Sequence, residues 1–71
     1  MLYVVEIRRE RERLSKVMSE IREWLDSVRF EPVAFRCNTA DDCITCRIEF
    51  SDEQHAAACV AFFNGTLTRL G

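Results

Sequence analysis

The spacing of apolar residues changes along the chain between the period of a strand and the period of a helix, and it predicts two helices and three or four strands. Leu2 to Ile7 is rich in β-branched and aromatic side chains, which is typical of a buried strand. Apolar residues then recur at steps of three and four, which predicts an amphipathic helix from about Arg9 to Val28. These residues form an apolar stripe along the helix that consists of Leu14, Val17, Met18, Ile21, Leu25 and Val28. We expect Trp24 to cover the edge of this stripe.

A hairpin is predicted after the first helix. Pro32 excludes a continuing helix, and Val33 to Cys37 alternates between apolar and polar positions as a strand does. Asn38 to Asp42 is rich in turn-forming residues. Ile44 to Phe50 alternates again and would pair with the preceding strand.

A second helix and a short final strand complete the pattern. Ser51 and Gln54 have the spacing of a capping box, and the helix that follows should run to Phe63. Asn64-Gly65 is a suitable C-cap. Thr66 to Leu70 is barely long enough for a strand, so whether a fourth strand forms stays open.

The predicted order describes one α+β domain that spans residues 1–71. With the final strand, the order is β-α-β-β-α-β, the ferredoxin-like plan. In this two-layer sandwich an antiparallel sheet carries two helices on one face. Without the final strand, the first strand would become an exposed edge.

Composition narrows the class of protein. The chain has 71 residues, of which 48% are hydrophobic and 31% charged, so a globular domain with a small core is expected. The net charge of −2 gives no overall attraction to nucleic acid or anionic lipid. No basic leader is present, and the longest uncharged apolar run is Ala56 to Phe63. We therefore expect a cytoplasmic protein that does not associate with membranes.

Four cysteines offer the sharpest candidate chemistry. Cys43 and Cys46 form a C-x-x-C, but residues three apart on a strand point to opposite faces. We interpret Cys37, Cys46 and Cys59 as reduced, buried thiols in a reducing compartment, and we predict no cofactor. Cys43 is a candidate reactive thiol, although the neighbouring Asp41-Asp42 should disfavour its thiolate. A metal or thiol site on Cys37, Cys43 and Cys46 is the alternative.

The remaining polar clusters give no clear catalytic site. His55 is the only histidine, in the first turn of the second helix, and no obvious partner is near it in sequence. Asp41-Asp42 has no third carboxylate beside it and is interpreted as a solubilising turn. We therefore predict that the protein is not an enzyme.

The favoured function is a small interaction or regulatory module that acts as a homodimer through its sheet face or an edge strand. The alternative is single-stranded nucleic-acid binding on the open sheet face, with the basic residues supplying charge. Glutamates interleave with these cations, which favours a solvated surface and makes nucleic acid the less favoured partner. The candidate interface residues are Leu2, Val4, Ala34, Thr45 and Arg47. The candidate nucleic-acid contacts are Arg8, Arg9, Arg11, Arg13, Lys16 and Arg36, with Arg47 shared between both sets.

Overall fold

The computed structural model describes residues 1–70. It confirms an α+β domain with a four-stranded antiparallel sheet, in the order β2-β3-β1-β4, and two helices. The final strand does form and pairs with β1, so the edges of the sheet are β2 and β4. The elements are β1 (Leu2–Glu10), α1 (Leu14–Val28), β2 (Ala34–Ala40), β3 (Cys43–Phe50), α2 (Glu53–Phe63) and β4 (Thr66–Leu70).

A single apolar core joins one face of the sheet to both helices. Alternate residues of β1 and β3 are fully buried in it, as the period of two predicts. The α1 stripe reaches the same core, and Trp24 packs into it with Phe30 and Phe63 rather than only covering its edge. The buried members are Val5, Ile7, Val17, Ile21, Trp24, Leu25, Ile44, Cys46, Ile48, Phe50, Ala56, Cys59 and Phe63.

The boundary between β1 and α1 differs from the prediction. The strand continues to Glu10, and α1 begins only at Leu14. Arg9 and Glu10 pair with Ile44 and Cys43 of β3, so the antiparallel ladder between the two strands continues through them. Leu14 is the first residue of the stripe, and the charged segment before it has no apolar side chain to hold a helix against the core.

The β2–β3 turn is also tighter than predicted. β2 extends to Ala40, and only Asp41 and Asp42 connect it to β3. Both turn residues adopt the left-handed region, with φ of 51° and 60°. Two consecutive left-handed residues form the type of turn that matches the twist of a hairpin, and aspartate tolerates that conformation better than most side chains.

The N-cap of α2 lies one residue after the predicted one, whereas its C-terminal end is as predicted. Asp52 is the N-cap, and its carboxylate accepts a hydrogen bond of 2.8 Å from the backbone N–H of Gln54. The predicted Ser51 does not take this role. At the other end the prediction is confirmed: α2 ends at Phe63, and Asn64 of the Asn64-Gly65 pair is the left-handed C-cap, with φ of 57°.

Candidate functional site

Two of the four cysteines are joined across the hairpin. Cys37 and Cys46 lie directly opposite each other on the core side, and their sulfur atoms form a disulfide. The interpretation of these two residues as reduced thiols is therefore wrong, whereas their shared orientation toward the core is confirmed. The register between β2 and β3 brings the two cysteines together. The predicted turn from Asn38 to Asp42 was too long, so this register could not be derived from it.

Cys43 is a free, half-buried thiol on the opposite face of the sheet. The Nη2 atom of Arg8 donates a hydrogen bond of 3.6 Å to its Sγ atom. This hydrogen bond raises the pKa of the Arg8 guanidinium. The aspartates of the turn are thus not the only charges beside this sulfur. The reactivity of the Cys43 thiol stays a prediction.

Cys59 is a free thiol on α2 with no exposed surface. Burial raises the pKa of Cys59 to about 12. In the unfolded chain the pKa of the same thiol is near 8.5, to within about a unit. Below that pH the thiol is protonated in both the folded and the unfolded state, so its raised pKa does not change the free energy of unfolding. We expect the free energy of unfolding to fall as the pH rises from there toward the folded value, because only the unfolded state releases the proton.

This pH dependence is measured by urea unfolding at a series of pH values from neutral to alkaline, with Cys59→Ala as the control. The variant should lose part of the alkaline decline, even if its stability at neutral pH is lower. Parallel curves for the two proteins would contradict the assignment.

The cysteines do not converge on a metal. Within residues 1–70, no group of three or more histidine, cysteine, aspartate or glutamate side chains has an arrangement that could hold an ion. His55 instead stacks on Phe30 with ring centroids 3.7 Å apart and lies 3.6 Å from an oxygen of Asp52. Asp41 and Asp42 form the hairpin turn.

The candidate interface residues lie on the outer face of the sheet, with side chains in the phase opposite to the core. Val4 is only 3% exposed, so it has little surface left to bury against a partner. Arg47 is exposed and lies opposite Arg36 on one side and Glu6 on the other. The outer face mixes charges of both signs. Its charged members are Arg8, Arg36, Arg47, Glu6, Glu10 and Glu49.

The predicted basic cluster is divided between two sides of the molecule. Arg8 lies on the outer sheet face, whereas Arg9 donates a hydrogen bond of 2.8 Å to the backbone carbonyl of Phe63 at the end of α2. Glu12 pairs with Arg9 at 3.8 Å and with Lys16 at 3.9 Å. These contacts partly neutralise the cluster. Its remaining members, Arg11 and Arg13, are exposed between β1 and α1.

A groove between the two helices was not predicted. Its volume is about 490 Å³. Phe62 is 64% exposed beside it and stacks on Trp24, with ring centroids 5.4 Å apart. The sequence did contain a signal, because adjacent Phe62 and Phe63 cannot both face the core from one helix. The lining residues are Glu20, Glu23, Trp24, Ser27, Phe62 and Phe63.

Within residues 1–70, neither helix combines the length and the apolar character that crossing a membrane requires. No family model, no curated protein and no solved structure matches this chain.

Proposed function

We propose that the protein is a non-enzymatic interaction module that acts as a homodimer through its free edge strand β2. The observation that carries the proposal is the character of that edge. β2 has seven residues and contains neither proline nor glycine, and within residues 1–70 it pairs with β3 on one side only. Such an edge presents unpaired backbone groups to another strand. The other edge, β4, has five residues.

The direction of the free backbone groups supports pairing between copies. The Cα atoms of Cys37 and Cys46 are 4.0 Å apart, which is typical of a pair without mutual backbone hydrogen bonds. Because the two kinds of pair alternate, Phe35 and Thr39 belong to the same kind as Cys37. The N–H and C=O groups of these three residues therefore point away from β3, toward the open side.

One antiparallel register satisfies the whole strand. With Cys37 opposite its own copy, Arg36 faces Asn38 and Ala34 faces Ala40 of the second copy. A shift of two residues in one direction would place Arg36 opposite Arg36, and like charges directly opposite are unfavourable. A shift in the other direction leaves the start of β2 without a partner in the second strand.

We also infer that the chain follows the ferredoxin-like plan. The strand order β2-β3-β1-β4 and the element order β-α-β-β-α-β support this inference, as does the single core shared by both helices. In this plan the first and third strands are central. Joining two sheets through β2 would then give one eight-stranded sheet with all four helices on the same side.

Substitution of Asn38 tests the register in both directions. Asn38→Arg places a second cation opposite Arg36 at two symmetry-related points, and we expect dimer affinity to fall by about fivefold or more. Asn38→Asp should strengthen the dimer, because a carboxylate then faces that guanidinium. Light scattering over a dilution series, supported by native mass spectrometry, measures the affinity.

Thr68→Arg is the matched control, because Thr68 is an exposed outer-face residue on the opposite edge strand β4. This change should leave the dimer unaffected. A monomer at all concentrations would disprove the homodimer. A dimer that responds equally to the Asn38 and Thr68 changes would retain the homodimer but reject β2 as its interface.

A second candidate function is binding of single-stranded nucleic acid on the outer face. The observation that favours it is the direct opposition of Arg36 and Arg47, neither of which forms an ion pair within residues 1–70. A phosphate between them would relieve their repulsion. Binding that weakens steeply with salt, and that Arg36→Gln reduces, would support this candidate.

A further inference from the structure

The groove between α1 and α2 exposes an aromatic side chain that packs against two other rings. Phe62 stacks on Trp24 at an interplanar angle of 27° and meets Phe63 edge-on, with centroids 4.9 Å apart. Trp24 is itself 9% exposed and anchored in the core. The exposed ring is therefore preorganised, and a partner would gain apolar contact with little loss of side-chain entropy.

Two carboxylates border this apolar surface. Glu20 and Glu23 lie one helical turn apart on α1, and neither forms an ion pair within residues 1–70. The hydroxyl of Ser27 is already used, because it donates a hydrogen bond of 2.7 Å to the Trp24 carbonyl. The two glutamates are therefore the polar groups available to a ligand in this groove.

The charge of the groove selects among classes of partner. Nucleic acids and anionic lipid surfaces would be repelled by the carboxylates. A second copy of this chain offers the basic segment that precedes α1. Glu12 there pairs with Arg9 and Lys16, and the segment from Arg11 to Arg13 has no apolar side chain to contact Phe62. A chain with apolar residues on one side and unpaired lysines or arginines on the other complements the groove better.

We propose that the α1–α2 groove docks a cationic amphipathic helix of a partner protein. The apolar side of that helix contacts Phe62 and Trp24, and its cations meet Glu20 and Glu23. Laying a helix into a groove between two helices is a recurring mode of recognition, in which apolar anchors repeat at every third or fourth position. The proposed site does not include β2, so this proposal can be tested independently of the homodimer.

The probe is a synthetic amphipathic helical peptide of leucine and lysine with a dye at one end. Fluorescence polarisation measures its binding, and calorimetry checks the result without a label. Emission from Trp24, the only tryptophan in the chain, reports whether the groove is occupied. We expect saturable binding that shifts this emission and weakens as ionic strength rises from about 50 mM to about 500 mM.

Two variants and their controls locate the peptide. Phe62→Ser should weaken binding by about tenfold or more, and Glu20→Gln with Glu23→Gln by about three- to tenfold together. Val33→Ser and Glu31→Gln are controls of the same chemistry away from the groove, and they should change nothing. Val33 is a suitable match because it is 60% exposed.

Three results would overturn the proposal. The first is no binding of the lysine peptide, and the second is equal binding of a peptide that carries glutamate in place of lysine. The third is a loss of dimer mass on Phe62→Ser, which would make a second copy the occupant. Loss of the homodimer on Asn38→Arg with peptide binding intact would leave this proposal standing.

Discussion

Replacement of Gly65 by alanine is expected to lower the free energy of unfolding by about 2 to 3 kcal/mol. A Cβ atom at this position would lie 2.8 Å from the backbone carbonyl oxygen of Glu6. It would also meet side-chain carbons of Val5 and Ile7, each at 3.3 Å. The oxygen cannot move aside freely, because it belongs to β1, which is paired on both sides. Either β4 separates from β1 or the central strand distorts.

Urea unfolding followed by circular dichroism measures this loss. Asn64→Gly is the matched control, since it alters the adjacent left-handed residue without adding an atom and should not lower stability, because glycine adopts this conformation without a steric cost. If Gly65→Ala proved as stable as the natural sequence, β1 and β4 could not be as close here as the structure places them.

Removal of the Cys37–Cys46 disulfide is expected to cost roughly 2.5 kcal/mol of stability. The bond closes a loop with a sequence separation of 9 residues, and opening it increases the conformational freedom of the unfolded chain. For a 71-residue domain this is a large share of the total stability. Reduction should therefore lower the midpoint of urea unfolding markedly.

The measurement compares oxidised and reduced protein in a Cys43→Ser/Cys59→Ala background, which prevents disulfide exchange. A Cys37→Ala/Cys46→Ala protein serves as the control, and reductant should not affect its unfolding. A thiol titration of the denatured natural chain gives an independent check, with two free thiols expected before reduction and four after it. Four thiols before reduction would show that the bond is absent.

Periodicity predicted most of the fold because the core-facing residues repeat regularly. The α1 stripe from Leu14 to Val28 and the alternation from Ile44 to Phe50 each have a single face that can be buried. The start of α1 was misplaced because charged residues fit either an exposed helix or the end of a strand. Only the pairing of Arg9 and Glu10 with β3 decides between them.

The disulfide and the groove were missed for different physical reasons. The Asp41-Asp42 turn lacks the glycine that usually marks a two-residue hairpin, so the pairing of Cys37 with Cys46 could not be derived. Adjacent Phe62 and Phe63 indicate that one aromatic ring is exposed, but the groove itself depends on how two helices lie side by side, which no local pattern encodes. The outer-face residues were placed on the correct side, but Val4 is covered within its own copy.

The pairing of Leu2 with Leu70 brings the two ends of the described chain to one corner of the sheet. Cross-strand partners are separated by about 5 Å, so the backbone traces a nearly closed circuit. Such a domain can be inserted into a surface loop of a host protein without forcing the host strands apart. A chain circularised at this corner and reopened at Asp41-Asp42 would keep every strand neighbour, with its new ends held together by the disulfide.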